Sequence, residues 1–225
     1  MTSDIKGSLL LAWQVKQKHC LVIGSGDVAL SRINHLIIAQ AKISVITGSG
    51  HIHPTILQLN DQHQFEHFIT RDYQSSDLSM LKKTSTHEFN LDDINNEEVY
   101  NQISHNFNHE RFEIICCCID DYQLSTQIYY QCKYLHLNCN IADKPLLCDF
   151  YFGSMINEQN FQILISTNGK SPRFSKILKD LIYKGINDNV EGDLNFAIEN
   201  LGNLRLKLRQ LKLQNNHDLI TFKFT

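Results

Sequence analysis

The chain has 225 residues, 42% of them hydrophobic and 20% charged, enough apolar material for one large domain or two modest ones. A formal net charge of −3 with no lysine/arginine block argues against nucleic acid or an anionic membrane as partner, and no apolar run is long enough to span a bilayer. The LLLAW at 9–13 is too short for a signal-peptide core and no small-residue cleavage site follows it, so the chain reads as cytoplasmic and its seven cysteines as thiols rather than a disulfide framework.

In chain order, KHCLVIG (18–24) is a continuous apolar run ending in glycine and predicts a strand buried on both faces. DVALSRINHLIIAQ (27–40) carries apolar residues at helical spacing. KISVIT (42–47) and FEHFIT (65–70) predict a second and third strand, RFEIICCCI (111–119) a fourth, YQLSTQIYYQCKYL (122–135) a helix, and LHLNCNIA (135–142) a last strand. The polar stretch 83–97 reads as a loop or insertion. Alternating β and α units of this length imply a Rossmann-type parallel sheet with helices on both faces. After residue 145 the rhythm changes. LCDFYFGSMI (147–156) and NFQILIST (160–167) predict a hairpin or meander, SPRFSKILKDLIYKGI (171–186) a helix, and DLNFAIENLGNLRLKLRQLK (193–212) a final helix. The expected organisation is an α/β domain at 1–145, a smaller α+β module at 146–190 and a C-terminal helical segment at 191–225.

The first predicted strand runs through GSGDVA into a helix, a GxGxxA fingerprint in strand–turn–helix context. Gly24 permits the tight turn, Gly26 lets backbone approach a pyrophosphate, and Ala29 allows the helix to pack closely on the sheet. Ser25, Asp27 and Val28 complete the turn, whose helix amides face the phosphates. The acid that would bind the ribose about twenty residues on is missing from ITGSGHIHP. Thr47 and Ser49 offer hydroxyls there. No arginine in that stretch would hold a 2′-phosphate, so the cofactor reads as NAD rather than NADP. His51 and His53 read as exposed loop histidines rather than a metal pair. Cys116, Cys117 and Cys118 alternate in direction on a strand and cannot converge on one metal, so they read as small buried hydrophobes.

Two carboxylates stand six residues apart in NIADKPLLCDFYFG (140–153). Asp143 falls at the carboxyl end of a parallel strand, where open α/β sheets bind ligands, so it is a candidate general base. The alternative is that it caps the turn before Pro145 or pairs with Lys144. Asp149 opens an apolar run and reads as structural. In STNGKSPRF, Ser171 is a candidate N-cap, Pro172 the first helical residue, and Lys170 and Arg173 flank a helix N-terminus that suits an anion; solvated charges beside an ordinary cap are the plainer reading. Tyr129 and Lys133 have the Tyr-x-x-x-Lys spacing of small-alcohol oxidoreductases, on a helix expected to pack behind the fourth strand.

The stretches IGSGDVALSR, NIADKPLLCDFYFGSM, QILISTNGKSPRFSKILKD and AIENLGNLRLKLR together resemble the siroheme-synthase family, most closely its fungal bifunctional precorrin-2 dehydrogenase and sirohydrochlorin ferrochelatase, from about residue 8 to about residue 212. The resemblance implies a Rossmann domain, a dimerisation module carried here by 147–167, and a helical segment. It also implies NAD-dependent oxidation of precorrin-2 to sirohydrochlorin, followed by insertion of ferrous iron as a substrate, with no resident metal. It assigns the role of catalytic aspartate in both steps to Asp143. Among the substrate-binding candidates, Asn140 is expected to hold the strand-end backbone near the nicotinamide, and Lys170, Ser171 and Arg173 suit the substrate's carboxylates. The C-terminal segment is shorter than the fungal pattern. That keeps a dehydrogenase without chelatase activity as one alternative, and a non-catalytic, NAD-responsive dimer as another.

Overall fold

The computed structural model describes residues 8–82, 97–98, 101, 111–168, 170–189 and 192–215; the expected loop at 83–97 lies almost wholly outside them, as does the end of the chain. The chain divides into two compact units, Leu11–Tyr151 and the residues from Phe152 on with the first ten.

In the larger unit, apolar runs make the strands, because residues covered on both faces leave no side for polar ones. β1 (His19–Ile23), β4 (Ile114–Cys117) and β5 (Cys139–Ile141) are buried throughout, and β2 (Lys42–Ile46) in all but its first residue. With β3 (His67–Ile69) they form one parallel sheet in the order β3-β2-β1-β4-β5. Alternate residues serve opposite layers. Leu21, Ile23, Ile115 and Cys117 join Ile128 and Cys132 of α3 (Tyr122–Tyr134) in one cluster, while α1 (Asp27–Ile38) buries Ala29, Ile33 and Leu36. This is the Rossmann-type architecture expected. The thiols of Cys20, Cys116, Cys117, Cys132 and Cys139 are core side chains. Burial pushes Cys117 up to about 12, so it behaves as a hydrophobe at neutral pH.

Two stretches differ from the sequence reading. The loop after β2 leads into α2 (Pro54–Asp61), whose N-cap is His53; its Nδ1 accepts from the Thr55 N–H at 3.1 Å. The run from 147 is not a strand until β6 (Ser154–Asn157). Pro145–Leu147 forms one 3-10 turn, and the chain then returns antiparallel along β5, bridging only at Asn140 and Cys148. Asp149 fixes this return: it accepts from the Cys139 N–H at 2.8 Å and pairs with Lys133.

The smaller unit pairs β6 antiparallel with β7 (Gln162–Ile165), and α4 (Pro172–Asn189) packs on this hairpin. Ser171 caps α4, accepting from the Phe174 N–H at 3.4 Å, as its sequence position predicts. α5 (Leu194–Asn215) is capped by Asp193 and tied to the hairpin through Asn160 and Asn195. Beyond that tie its apolar side chains are exposed: Leu201, Leu204, Leu208 and Leu211 recur at a/d spacing.

Candidate functional site

The order in which strands are added reverses at β1, which has β2 and β3 on one side and β4 and β5 on the other, with all carboxyl ends along one edge. A crevice opens where connections diverge at such a point. Gly24 ends β1 at φ +115, and a β-carbon there would lie 2.3 Å from the Cys118 carbonyl oxygen, so only glycine lets the two strand ends approach this closely. Gly26, the N-cap of α1, has φ −89 and supplies no side-chain cap; a β-carbon on it would meet nothing within 4 Å. The first turn of α1 therefore has no side-chain acceptor from its cap and leaves room beside Gly26, an arrangement that fits a pyrophosphate. Ala29 is fully buried against the sheet and Val28 is partly exposed.

The turn is laced to the loop after β2. The buried Ser25 hydroxyl donates to the Thr47 carbonyl at 3.0 Å and reaches the His51 carbonyl at 3.2 Å, and the His53 N–H donates to the Ser25 carbonyl. Asp27, at the start of α1, lies 3.4 Å from His53 Nε2. The Thr47 hydroxyl donates to the Gly48 carbonyl at 3.0 Å. Ser25 and Thr47 thus hold the cradle through their side chains. Of the HxH pair, His53 serves as the cap of α2, and no group of three metal-ligating side chains occurs among the described residues.

Asp143 stands at the same sheet edge. After β5 a turn closes with the Lys144 N–H donating to the Ile141 carbonyl, and Asp143 occupies its third position at φ +58, a left-handed conformation that aspartate tolerates better than most residues. Its side chain is exposed and makes no hydrogen bond or ion pair among the described residues. Lys144 does not pair with it: its ammonium donates to the Ser125 hydroxyl and lies 4.6 Å from the Tyr122 ring centre. The Asp143 charge reaches Cys118, the residue packed against Gly24. Burial, chiefly, pushes the Cys118 thiol up to about 12; Arg32 pulls against the rise, and Cys117 and Asp143 add to it. The free carboxylate and the glycine turn therefore share one end of the sheet.

The remaining candidates are placed as follows. Asn140 is buried in β5, its amide donating to the Phe150 carbonyl at 2.9 Å, so in this structure it holds the returning segment. Lys170 and Arg173 are exposed beside the N-terminus of α4, in the smaller unit, and form no ion pair among the described residues. Lys133 is committed to Asp149 and lies 5.4 Å from the Tyr129 ring centre, which explains the Tyr-x-x-x-Lys spacing as helix-face packing. A groove of about 760 Å³ on the outer face of α3, lined by Tyr122, Thr126, Tyr130 and Tyr134, includes none of these groups. One residue that the fingerprint spacing misses is Asp72, just beyond β3, which accepts from the Ser49 N–H at 2.8 Å.

Residues 11–154 match a family of NAD(P)-binding proteins, and residues 159–184 match the central region of sirohaem biosynthesis proteins. The chain is 33% identical over 205 residues to a siroheme biosynthesis protein of Schizosaccharomyces pombe, covering 91% of this chain and 64% of that one. It is 35% identical over 217 residues to the siroheme biosynthesis protein of the same name from Saccharomyces cerevisiae, covering 91% and 76%. Among solved structures, SirC, a precorrin-2 dehydrogenase, matches with a TM-score of 0.55 at 14% identity, over 95% of this chain and 84% of that one, a likeness of fold.

Proposed function

This chain belongs to the NAD(P)-binding family of siroheme biosynthesis, and from that premise we propose that it oxidises precorrin-2 to sirohydrochlorin with NAD and then inserts ferrous iron to give siroheme. The observation that carries the reading is the unpaired Asp143 carboxylate on the sheet edge that also carries the glycine turn. When bound at the α1 N-terminus, the dinucleotide supplies the hydride acceptor. Gly24, Ser25, Gly26, Asp27, Val28, Ala29 and Thr47 form the turn and the loop that hold it. Oxidation removes a hydride and a proton from the macrocycle, and the Asp143 carboxylate takes the proton. In the second step iron enters as substrate while pyrrole protons leave, and the same carboxylate accepts a proton again. The neighbouring Lys144 is engaged by the Ser125 hydroxyl and the Tyr122 ring, which leaves the Asp143 carboxylate open to the substrate.

The N-terminus of α4, capped by Ser171 and flanked by Lys170 and Arg173, suits the carboxylates of the macrocycle. The chain acts as a homodimer, supported by the exposed leucine stripe of α5, which a second copy would cover. The buried thiols suit a reducing compartment such as the cytoplasm.

The test is anaerobic turnover. Precorrin-2 and NAD are mixed with protein while NADH absorbance and the sirohydrochlorin spectrum are followed, and ferrous iron is then added. The expected result is NADH formation, then metal insertion faster than in a protein-free control; Asp143→Asn loses both while still binding NAD. Normal oxidation by Asp143→Asn would refute the assignment of the base. Oxidation without accelerated insertion would leave a dehydrogenase only. No oxidation by wild-type protein that binds NAD would leave a non-catalytic dimer.

A further inference from the structure

The dinucleotide fingerprint lacks its ribose acid at the end of β2, where the chain reads Thr47-Gly48-Ser49. We propose that Asp72, from the end of the neighbouring strand β3, supplies that carboxylate and selects NAD over NADP. The inference rests on the cofactor reading above. In parallel sheets of this kind an acid at the end of β2 accepts hydrogen bonds from the ribose of the adenosine half. Here β3 lies directly beside β2, and the chain beyond it brings Asp72 to the same place. Asp72 Oδ1 accepts from the Ser49 N–H at 2.8 Å, and a β-carbon on Gly48 would lie 3.6 Å from that oxygen. The carboxylate therefore sits over the Gly48-Ser49 backbone. Its second oxygen makes no hydrogen bond among the described residues, and the residue is exposed. An oxygen so placed accepts from a ribose hydroxyl and repels a 2′-phosphate.

The adjoining arginine sharpens the selection. Arg71 would be the natural partner of a 2′-phosphate, but its guanidinium forks onto Asp77 at 2.9 and 2.6 Å and donates to the Asp72 carbonyl at 2.9 Å. The loop thus presents a free negative charge beside a cation already engaged, the reverse of an NADP site. Spacing alone could not find this acid, because it lies in the next βα unit.

The experiment is a fluorescence titration of the full chain with NADH and with NADPH, without macrocycle, on wild type and Asp72→Asn. The amide still accepts from Ser49 and retains the loop but loses the charge. Wild type is expected to prefer NADH by about tenfold or more, and Asp72→Asn to lose about tenfold of that preference, with weaker NADH and tighter NADPH binding. A merely structural role would not tighten NADPH. A wild-type protein that binds both equally, or a variant whose preference moves less than about twofold while NADH still binds, overturns the role of Asp72 and leaves the cofactor reading intact. Wild type that binds neither nucleotide overturns both.

Discussion

Gly24→Ala and Gly26→Ala are expected to separate folding from binding. At Gly24 the added methyl would stand 2.3 Å from the Cys118 carbonyl oxygen and 2.8 Å from its carbon, both backbone atoms of the adjacent strand end. No rotamer relieves a β-carbon, so β1 and β4 must part or the turn must change. The φ of +115 adds strain of about 1–3 kcal/mol for an L-residue. Forcing apart a packed strand pair costs about as much again, by analogy with overpacked cores. The loss is a large fraction of the roughly 5–15 kcal/mol that holds a domain together. Thermal unfolding followed by circular dichroism should show a midpoint drop on the order of 10 °C. At Gly26 the methyl meets nothing within 4 Å and φ is −89, so the midpoint should stay within a few degrees, since a cap exchange costs about 0.5 kcal/mol. NADH binding, titrated by fluorescence, should nevertheless weaken by about tenfold or more, because the methyl occupies the space a phosphate would approach. Undiminished NADH binding by Gly26→Ala would refute the placement of the cofactor, and an unshifted midpoint for Gly24→Ala would refute the close strand approach.

Two further outcomes follow from the smaller contacts. Burial alone would raise the Asp77 carboxyl, but the Arg71 guanidinium and the Gln74 N–H outweigh it and hold the group below the usual carboxylate range. A lowered folded pKa gives stability that is complete above about pH 4, the ordinary value, and lost as pH falls through the folded one. Asp77→Asn should therefore cost about 1–3 kcal/mol at neutral pH, with the gap from wild type closing below about pH 4 in urea melts; a gap that widens on acidification would contradict the pairing. Leu204→Glu with Leu208→Glu should convert a dimer to a monomer by sedimentation without loss of helix content, whereas a monomeric wild type would remove the dimer from the proposal.

The sheet could be read in advance because burial on both faces leaves a continuous apolar run. Leu21-Val22-Ile23, Val45-Ile46 and Ile114-Ile115-Cys116-Cys117 have no other reading in a chain with this glycine turn. α2 was not legible, since its eight residues are too short a window for helical periodicity, only Ile56 is buried, and its cap is a histidine rather than the usual hydroxyl, amide or carboxylate. The run 147–152 imitates a strand through its apolar residues, but Tyr151 turns its hydroxyl to the Pro145 carbonyl at 2.7 Å and closes a compact return. Asp72 and the side-chain duties of Ser25 and Thr47 depend on which loops meet at the sheet edge, which local sequence does not state.

The two carboxylates six residues apart show how one short segment divides fold from chemistry. Asp149 meets a cation and a backbone N–H, and these fasten the returning chain to β5 and α3. A carboxylate so engaged serves the fold, because both of its contacts are structural. Asp143 is lifted out of the strand by a left-handed turn, and the neighbouring lysine is drawn away to Ser125 and Tyr122. Had Lys144 turned the other way, the same residues would have made an inert surface ion pair. The fold leaves the Asp143 carboxylate unpaired by engaging the adjacent Lys144 at Ser125 and Tyr122, while Asp149 fastens the segment that follows.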